Sequence, residues 1–212
     1  MDKDRWFSTC DDFNLCRMGL NGPMTVTQIM PLLQWVKDGQ SFLDVGCGSG
    51  TTLDALNLIK KKVLYKGVDF IEHRIEWLKK QYPNEQFAVD DARHLHEKDY
   101  SWDVVWSRHV IDHLGEFEQP MEEHCRVARE YVICILWMSL TDLDNHLIKP
   151  IIEQEKTYPD EWTNQYSRKR VQAFLDKKSK EGWEVKEFLE DVTWDGSVKG
   201  KGRDTIIVLK KV

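Results

Sequence analysis

Short apolar runs alternate with segments of helical periodicity along most of the chain. The apolar runs are predicted to be buried strands, and they are FLDVG (42–46), VLYKGVDF (63–70), FAVDDA (87–92), WDVVWS (102–107) and YVICILWM (131–138). Between the first three runs, LDALNLIKK and IEHRIEWLKKQYP have apolar residues at helical spacing, and Pro83 ends the second of these segments. The alternation predicts an α/β fold built around a mostly parallel sheet.

The C-terminal half continues this pattern and then changes it. Residues 109–129 are predicted to be largely helical, with a break around Gly115 to Pro120. A further helix is expected over 167–182, with Ser167 as its N-cap and Gly182 near its end. The runs WEVKEFLED and DTIIVLKKV are joined by a glycine-bearing loop, which predicts an antiparallel hairpin at one edge of the sheet.

Length and composition limit the class of protein. A chain of 212 residues suits one domain with a substantial core. The net charge of -6 argues against a general nucleic-acid binder, which usually has a basic surface. The longest apolar run, 131–140, is shorter than the ~20 residues that span a bilayer. The N-terminus lacks an apolar signal region, and the five cysteines form no CxxC pair, so we expect a cytoplasmic protein without membrane association.

Polar residues follow the predicted strands at the positions where each strand ends. Ligands of parallel α/β sheets bind beyond the carboxyl ends of the strands. This rule brings four segments to one rim, namely Gly46–Gly50, Asp69, Asp90–Asp91 and Ser107–His113. We therefore expect the functional site there.

The glycine loop DVGCGSG lies directly after a strand and before a helix, where glycine permits a tight turn and close approach of a ligand. Asp69 ends the next strand, where an acid can accept hydrogen bonds from both hydroxyls of a ribose. A dinucleotide fingerprint would need a third glycine at position 51, which is Thr51. The spacing therefore favours a nucleoside other than NAD or FAD.

The motifs LDVGCGSG, GVDF, VDDA and WDVVWSRHVIDHL, in this order and at these intervals, resemble the class I S-adenosylmethionine-dependent methyltransferases over about residues 40–135. The nearest branch includes the ubiquinone-type and many small-molecule enzymes. The resemblance implies a Rossmann-like seven-stranded, mostly parallel sheet with an antiparallel C-terminal strand and helices on both faces. It implies one domain over 1–212, with an N-terminal helical or lid extension (1–38) and a lid insertion (139–166).

The resemblance also implies a cofactor, S-adenosylmethionine, which leaves as S-adenosylhomocysteine. The glycine loop would hold the methionine end, Asp69 the ribose, and Asp91 the adenine amino group, while Ser107 and Arg108 would approach the methionine through backbone atoms. The full set of residues carried over as cofactor-binding is Asp44, Gly46, Cys47, Gly48, Gly50, Asp69, Phe70, Asp91, Ala92, Ser107 and Arg108. The family often has a glycine-rich segment before strand five, and this chain lacks it.

Two histidines in SRHVIDHL admit more than one interpretation. Read alone, His109 and His113 with Asp112 approach a zinc-peptidase signature, in which Asp142 or His146 could be further ligands. Within the family pattern, the pair lies on the cofactor rim and is assigned to catalysis, with His109 as general base or substrate contact. A supporting hydrogen-bonded role for His113 is equally consistent with the sequence.

Other features concern the acceptor and a possible metal. Four aromatic residues lie outside the parallel sheet and are expected to line a flat or apolar acceptor pocket, and they are Trp6, Phe7, Trp162 and Tyr166. Asp144 and Asn145 follow strand five, as magnesium ligands do in catechol-type methyltransferases, but strand four ends without an acid. We therefore assign these two to a loop and expect no metal.

The first hypothesis is a small-molecule methyltransferase that acts as a monomer or homodimer. A regulatory protein that binds S-adenosylmethionine without turnover would carry the same glycine loop and acids. A nucleotide-dependent oxidoreductase is disfavoured by Thr51 and by the C-terminal hairpin. A macromolecular acceptor, protein or RNA, stays open, although the acidic balance disfavours RNA.

Overall fold

A seven-stranded sheet with helices on both faces forms the body of the protein. The computed structural model describes residues 24, 26–137, 139–143, 147–150, 162–193 and 203–212. The strands are β1 (Ser41–Val45), β2 (Leu64–Asp69), β3 (Gln86–Val89), β4 (Trp102–Arg108), β5 (Ala128–Leu136), β6 (Leu147–Pro150), β7 (Trp162–Gln165), β8 (Trp183–Thr193) and β9 (Arg203–Lys211). The helices are α1 (Val26–Trp35), α2 (Thr51–Leu58), α3 (Glu72–Gln81), α4 (Glu118–Val127) and α5 (Arg168–Lys180).

The strand order of the main sheet is β3-β2-β1-β4-β5-β9-β8. Strands β1 to β5 run parallel, and β9 lies antiparallel between β5 and β8. This arrangement confirms the predicted α/β fold and its antiparallel C-terminal strand. The order reverses direction at β1 and β4, so the crevice between the ends of these strands is the topological switch point where ligands of such sheets bind.

Two apolar clusters cover the two faces of the sheet. One cluster joins the inner residues of α1, α2 and α3, including Leu32, Leu56 and Leu78, to one side of the strands. The other joins α4 and α5, through residues such as Met121 and Phe174, to the opposite side. The β strands are nearly continuous in apolar residues because both of their faces are buried.

The direction of β9 has a consequence for the rim. Because β9 is antiparallel to β5, its first residues lie beside the carboxyl end of β5, where Thr205 pairs with Leu136. Asp204 therefore lies at the same edge as the ends of the parallel strands. No local pattern in the sequence identified this acid as part of the rim.

The segment 109–129 differs in detail from its predicted helix. His109 has a left-handed backbone (φ 55°), and residues Ile111–His113 form a single 3₁₀ turn. The following α4 begins at Glu118, so the predicted break ends before Pro120. Pro120 lies in the first turn of α4, where the missing N–H leaves no helical hydrogen bond unmade.

Helix α1 falls inside the predicted N-terminal extension, and a hairpin of β6 and β7 falls inside the predicted lid insertion. The hairpin was not expected from the sequence. Ser167 precedes α5 as predicted, although its side chain makes no capping hydrogen bond to the helix, and Gly182 follows the helix with φ 83°. Within the described ranges, no helix is long and apolar enough to cross a membrane.

Candidate cofactor and acceptor site

The glycine loop between β1 and α2 is a tight turn whose glycines have left-handed backbone conformations. Gly46, Gly48 and Gly50 all have positive φ, at 72°, 55° and 82°. The amides of Gly46 and Cys47 both donate to the carbonyl of Val68, at 2.7 and 2.9 Å, and this fastens the loop to the end of β2. A side chain at Gly46 would lie 2.2 Å from Val110, whereas the space beside Gly48 is open. Gly46 is therefore required for packing, and Gly48 leaves room above the loop.

Asp69 joins the glycine loop to the segment after β2. Its buried carboxylate accepts hydrogen bonds from the amide of Gly48 through Oδ2 and from the amide of Ile71 through Oδ1, each at 3.0 Å. A carboxylate has about four lone-pair positions. These two bonds fix the orientation of Asp69 and leave capacity for further donors.

The end of β3 carries two adjacent acids with different surroundings. The amide of Asp90 donates to the carbonyl of Asp69 at 3.1 Å, and its buried carboxylate accepts from the amides of Asp91 and His96. Asp91 is more exposed and forms a bidentate pair with Arg93, in which Nη2 lies 2.6 Å from Oδ2. Ala92 is buried beside them. Asp90 is thus structural, and Asp91 is the acid that faces outward.

Asp44 lies beneath the glycine loop. Its side chain is buried, and Oδ2 accepts a hydrogen bond from the hydroxyl of Tyr65 at 2.7 Å. Burial raises the pKa of Asp44 to about 6, although Tyr65 and the charge of Arg108 oppose this. Burial likewise raises the pKa of the Cys47 thiol well above its usual range. The Cys47 thiol is therefore neutral and unreactive at physiological pH.

Arg108 crosses from the end of β4 toward the start of α2. Its Nη2 donates to Thr51 Oγ1 at 2.7 Å, and its Nη1 lies 3.4 Å from Gln28 Oε1. Burial lowers the pKa of Arg108, while Asp44 and Asp204 raise it. The guanidinium of Arg108 thus lies beside the start of α2, and the approach of its backbone to a methionine stays a prediction.

His109 is held by residues from two other elements. Its Nε2 lies 3.1 Å from Asp204 Oδ1 and 3.2 Å from Gln28 Nε2. Gln28 also donates to Asp204 Oδ2 at 2.8 Å, and Asp204 is completely buried. Burial lowers the pKa of His109, with Arg108 acting in the same direction and Asp204 in the opposite one.

Comparison with known proteins agrees with this geometry. Residues 43–136, which run from β1 to the end of β5, match the family model described as "Methyltransferase domain". These 94 of the 212 residues are similar to that methyltransferase domain. The glycine loop and the acids that end β2 and β3 lie inside the matched residues, and Asp204 and Gln28 lie outside them.

Part of the chain is similar to a protein of Mycolicibacterium smegmatis named "Probable S-adenosylmethionine-dependent methyltransferase". It is 31% identical over 91 residues, which cover 43% of this chain and 35% of that protein. The chain thus spans about a third of the length of the curated relatives that it matches.

Two solved structures share the fold over the whole chain. One belongs to the complex between the Haloferax volcanii Trm112 methyltransferase activator and a methyltransferase, with a TM-score of 0.71, 16% identity, and coverage of 100% of this chain and 98% of that one. The other is magnesium protoporphyrin IX methyltransferase from Synechocystis with bound S-adenosylmethionine, with a TM-score of 0.64, 15% identity, and the same coverage. At such identities these likenesses show the fold that the chain shares with them.

At the end of β5, Trp137 lies between the two histidines of SRHVIDHL. Its ring stacks on His109 (centroids 6.0 Å apart, 25° between planes) and contacts His113 at 6.5 Å. The two histidines therefore share a face, but through a 3₁₀ turn and Trp137 rather than through an α-helix as their spacing suggested. Among the described residues, no group of three or more His, Cys, Asp or Glu side chains is arranged to hold a metal ion.

Tyr166, for which an acceptor contact was predicted, lies in the core beside Phe117. Its ring is buried against Phe117, and its hydroxyl donates to the carbonyls of Ile111 and Leu114. This placement favours a role in holding the turn that carries His113. The side chain of Trp162, together with Trp6 and Phe7, lies outside the described residues, so the structure does not bear on their prediction.

Sequence reasoning missed Gln28, Thr51, Trp137 and Asp204 as residues of this site. Thr51 could have been found, because it follows the glycine loop directly at the start of α2. Asp204 is separated from His109 by 95 residues and Gln28 by 81. The only available signal was that an antiparallel final strand begins at the ligand-binding edge.

Proposed function

We propose that this chain is an S-adenosylmethionine-dependent methyltransferase that transfers a methyl group to a small-molecule acceptor. The observation that carries the proposal is the hydrogen bond between the Gly48 amide and Asp69, because it joins the two motifs that hold a nucleoside at the switch point. Three described cysteines, Cys47, Cys125 and Cys134, are free thiols, which agrees with a cytoplasmic location.

The nucleoside half of the site suits a ribose and an adenine. Asp69 uses one hydrogen bond on each oxygen for the backbone, so each oxygen can also accept from a ribose hydroxyl. Phe70 follows it as a half-buried ring suited to the adenine face. Asp91 would accept from the adenine amino group, and this requires it to share an oxygen with Arg93.

The methionine half of the site offers positive charge and hydroxyl groups. The Arg108 guanidinium and the N-terminus of α2 both favour a carboxylate beside Thr51. The hydroxyls of Ser49 and Ser107 are buried and have no hydrogen-bond partner within the described structure. Buried polar groups normally have partners, so these two orphaned hydroxyls fit a ligand that supplies them.

S-adenosylmethionine supplies a methyl group on a positively charged sulfur, which is electrophilic without further activation. The chain must therefore align the acceptor, exclude water and receive any proton that the acceptor loses. His109 is the candidate for that last role, because burial lowers its pKa and keeps the ring neutral near pH 7.

A small acceptor is supported by the surroundings of His109. Trp137 offers a flat aromatic surface next to the imidazole, as pockets for small organic molecules commonly do. The net charge of -6 disfavours a nucleic-acid acceptor. The alternative of a non-catalytic binding protein explains the glycine loop equally well but gives no role to a buried His109 and Asp204 pair.

The proposal is tested first by isothermal titration with S-adenosylmethionine, S-adenosylhomocysteine and NAD in parallel. We expect the first two to bind and NAD not to bind. The variant Asp69→Asn should weaken binding of both ligands, because it removes the carboxylate from the ribose. Asp103→Asn is the matched control, since Asp103 also accepts from a backbone amide but lies at the amino end of β4.

Binding of NAD alone would contradict the proposal. Unchanged affinity in Asp69→Asn would show that the ribose assignment is wrong. Binding of S-adenosylmethionine without methyl transfer to any of a broad set of small acceptors would favour the regulatory protein.

A further inference from the structure

The buried carboxylate of Asp204 contacts the imidazole of His109. Its Oδ1 lies 3.1 Å from Nε2 of the imidazole, and its Oδ2 accepts a hydrogen bond from the Gln28 amide at 2.8 Å. Asp204 has no solvent exposure, so its charge acts on these neighbours with little screening by water. The pair joins the loop after β4 to the first residues of β9.

The same contacts determine which nitrogen of His109 carries the proton. An ionised carboxylate only accepts hydrogen bonds, so Nε2 must donate to Asp204 and carry the hydrogen. Gln28 Nε2 also donates to this carboxylate, at Oδ2, so its 3.2 Å approach to His109 Nε2 is that of two donors that share one acceptor. The remaining nitrogen, Nδ1, then bears the lone pair that can accept a proton.

The backbone of His109 is held in an uncommon conformation. Its φ of 55° lies in the left-handed region, which costs free energy for a residue with a side chain. The amide of His109 donates to the carbonyl of Ile135 at 2.8 Å and so maintains this conformation. Backbone strain of this kind concentrates at functional sites, where surrounding contacts hold one side chain in a required direction.

We propose that Asp204 is the positioning residue that makes His109 Nδ1 a general base for an acceptor with an ionisable hydroxyl group, such as a phenol. The inference rests on the proposed methyltransferase function and adds the acceptor class to it. An amine acceptor is nucleophilic when neutral and needs no base before transfer, whereas a hydroxyl acceptor gains most from losing its proton. The aromatic ring of Trp137 beside His109 suits an aryl group.

The transfer step conserves atoms and electron pairs with His109 as the proton acceptor. The acceptor hydroxyl gives its proton to His109 Nδ1, and an oxygen electron pair forms the bond to the methyl carbon. The carbon–sulfur bond breaks with its electron pair going to sulfur, which becomes a neutral thioether. The positive charge that His109 gains is stabilised by Asp204 and opposed by Arg108.

Nitrogen-detected NMR of the histidine rings tests the proposal without an acceptor. We expect His109 in the wild-type protein to be protonated on Nε2 near pH 7. In Asp204→Asn, which keeps the shape of the side chain, the pKa of His109 should fall by about one unit or more because the stabilising charge is lost. Asp103→Asn should leave the His109 signals unchanged.

Methyl transfer to matched sets of phenols, amines and carbon acids tests the acceptor class. We expect turnover of phenols, with kcat about 10²- to 10⁴-fold lower in His109→Gln. Asp204→Asn should also lower kcat, because Asp204 acts through His109. The kcat of the double variant should therefore be only slightly lower than that of His109→Gln. The affinity for S-adenosylmethionine, measured by titration, should be unchanged in both single variants.

Protonation of His109 on Nδ1 in the wild type, or an unchanged pKa in Asp204→Asn, would overturn the positioning role. Turnover confined to amines or carbon acids, or no turnover of any phenol, would overturn the acceptor class. Failure of the wild type to bind S-adenosylmethionine would instead refute the proposed function itself.

Discussion

The carboxylate of Asp112 accepts a hydrogen bond from the backbone amide of Trp137, with Oδ2 and N 3.0 Å apart. Asp112 is completely buried, so this bond ties the turn after β4 to the end of β5 inside the protein. The Trp137 ring then lies against both His109 and His113. The acid of the H-x-x-D-H sequence thus connects two segments of the chain.

Replacement of Asp112 should loosen this connection. We expect Asp112→Ala to lower the free energy of unfolding by about 1–3 kcal/mol, because the bond from the buried Trp137 amide is lost. Urea unfolding followed by circular dichroism measures the change. The comparison variant Asp142→Asn, whose side chain is 86% exposed, should change stability by less than about 0.5 kcal/mol. Equal effects of the two substitutions would contradict a structural role for Asp112.

Gly46→Ala should be severely destabilising. The new methyl group would lie 2.2 Å from Val110, and φ of 72° disfavours any side chain. We expect a loss of at least about 2 kcal/mol together with weaker binding of S-adenosylmethionine, measured by thermal unfolding and titration. Gly115→Ala is the matched control, because the space beside Gly115 is open, and it should be nearly neutral.

A second variant separates the clash with Val110 from the positive φ as causes of the lost stability. Val110→Ala in the Gly46→Ala background should recover the part of the stability that was lost to the clash, but not the part due to the backbone conformation. No recovery in this double variant would show that the conformation alone makes glycine necessary.

Tyr166→Phe should destabilise the turn that carries His113. Removal of the hydroxyl leaves the carbonyls of Ile111 and Leu114 without this donor in a buried region, at a cost of about 1–3 kcal/mol. Tyr100→Phe, at a half-exposed residue, should have little effect on the same unfolding curves. If Tyr166→Phe changed acceptor binding without changing stability, Tyr166 would belong to the acceptor pocket.

His124 should make stability depend on pH. Burial lowers its pKa from 6.5 to about 4 in the folded protein. The unfolded chain therefore binds more protons between these values, and stability falls as pH decreases from about 6.5 to 4. The full effect amounts to about 3 kcal/mol.

Asp44 changes the free energy of unfolding with pH in the direction opposite to His124, so the measurement must separate the two contributions. Burial raises the pKa of Asp44 to about 6, so its contribution favours the folded state as pH falls toward 4. Comparison of urea unfolding for the wild type and His124→Asn across this range isolates the histidine, because Asp44 is common to both. Parallel pH profiles for the two proteins would contradict the lowered pKa.

The sequence predicted the parts of this molecule that depend on local chemistry. The glycine loop and Asp69 follow apolar strands directly, so their positions at the rim follow from strand direction alone. The main sheet was predictable for the same reason, since its strands are short apolar runs. The hairpin of β6 and β7 was not, because LIKP and WTNQ are only four residues long and each has a single β-branched residue.

The acceptor side was predicted less well because tertiary contacts create it. His109 was recognised, but its left-handed backbone and its partner Asp204 depend on the pairing of β9 with β5. Tyr166 was assigned to the acceptor pocket from its residue type, while its burial depends on the packing of Phe117. Residue type alone does not distinguish an aromatic ring in a pocket from one in the core.

The antiparallel placement of β9 also sets an order for assembly during synthesis. The glycine loop, Asp69 and His109 emerge from the ribosome in one continuous stretch, while Asp204 follows His109 by 95 residues. A nascent chain can therefore form the glycine loop and the end of β2 well before His109 acquires its buried partner. That contact forms only when β9 closes a long loop onto β5, so this side of the rim is the last to mature.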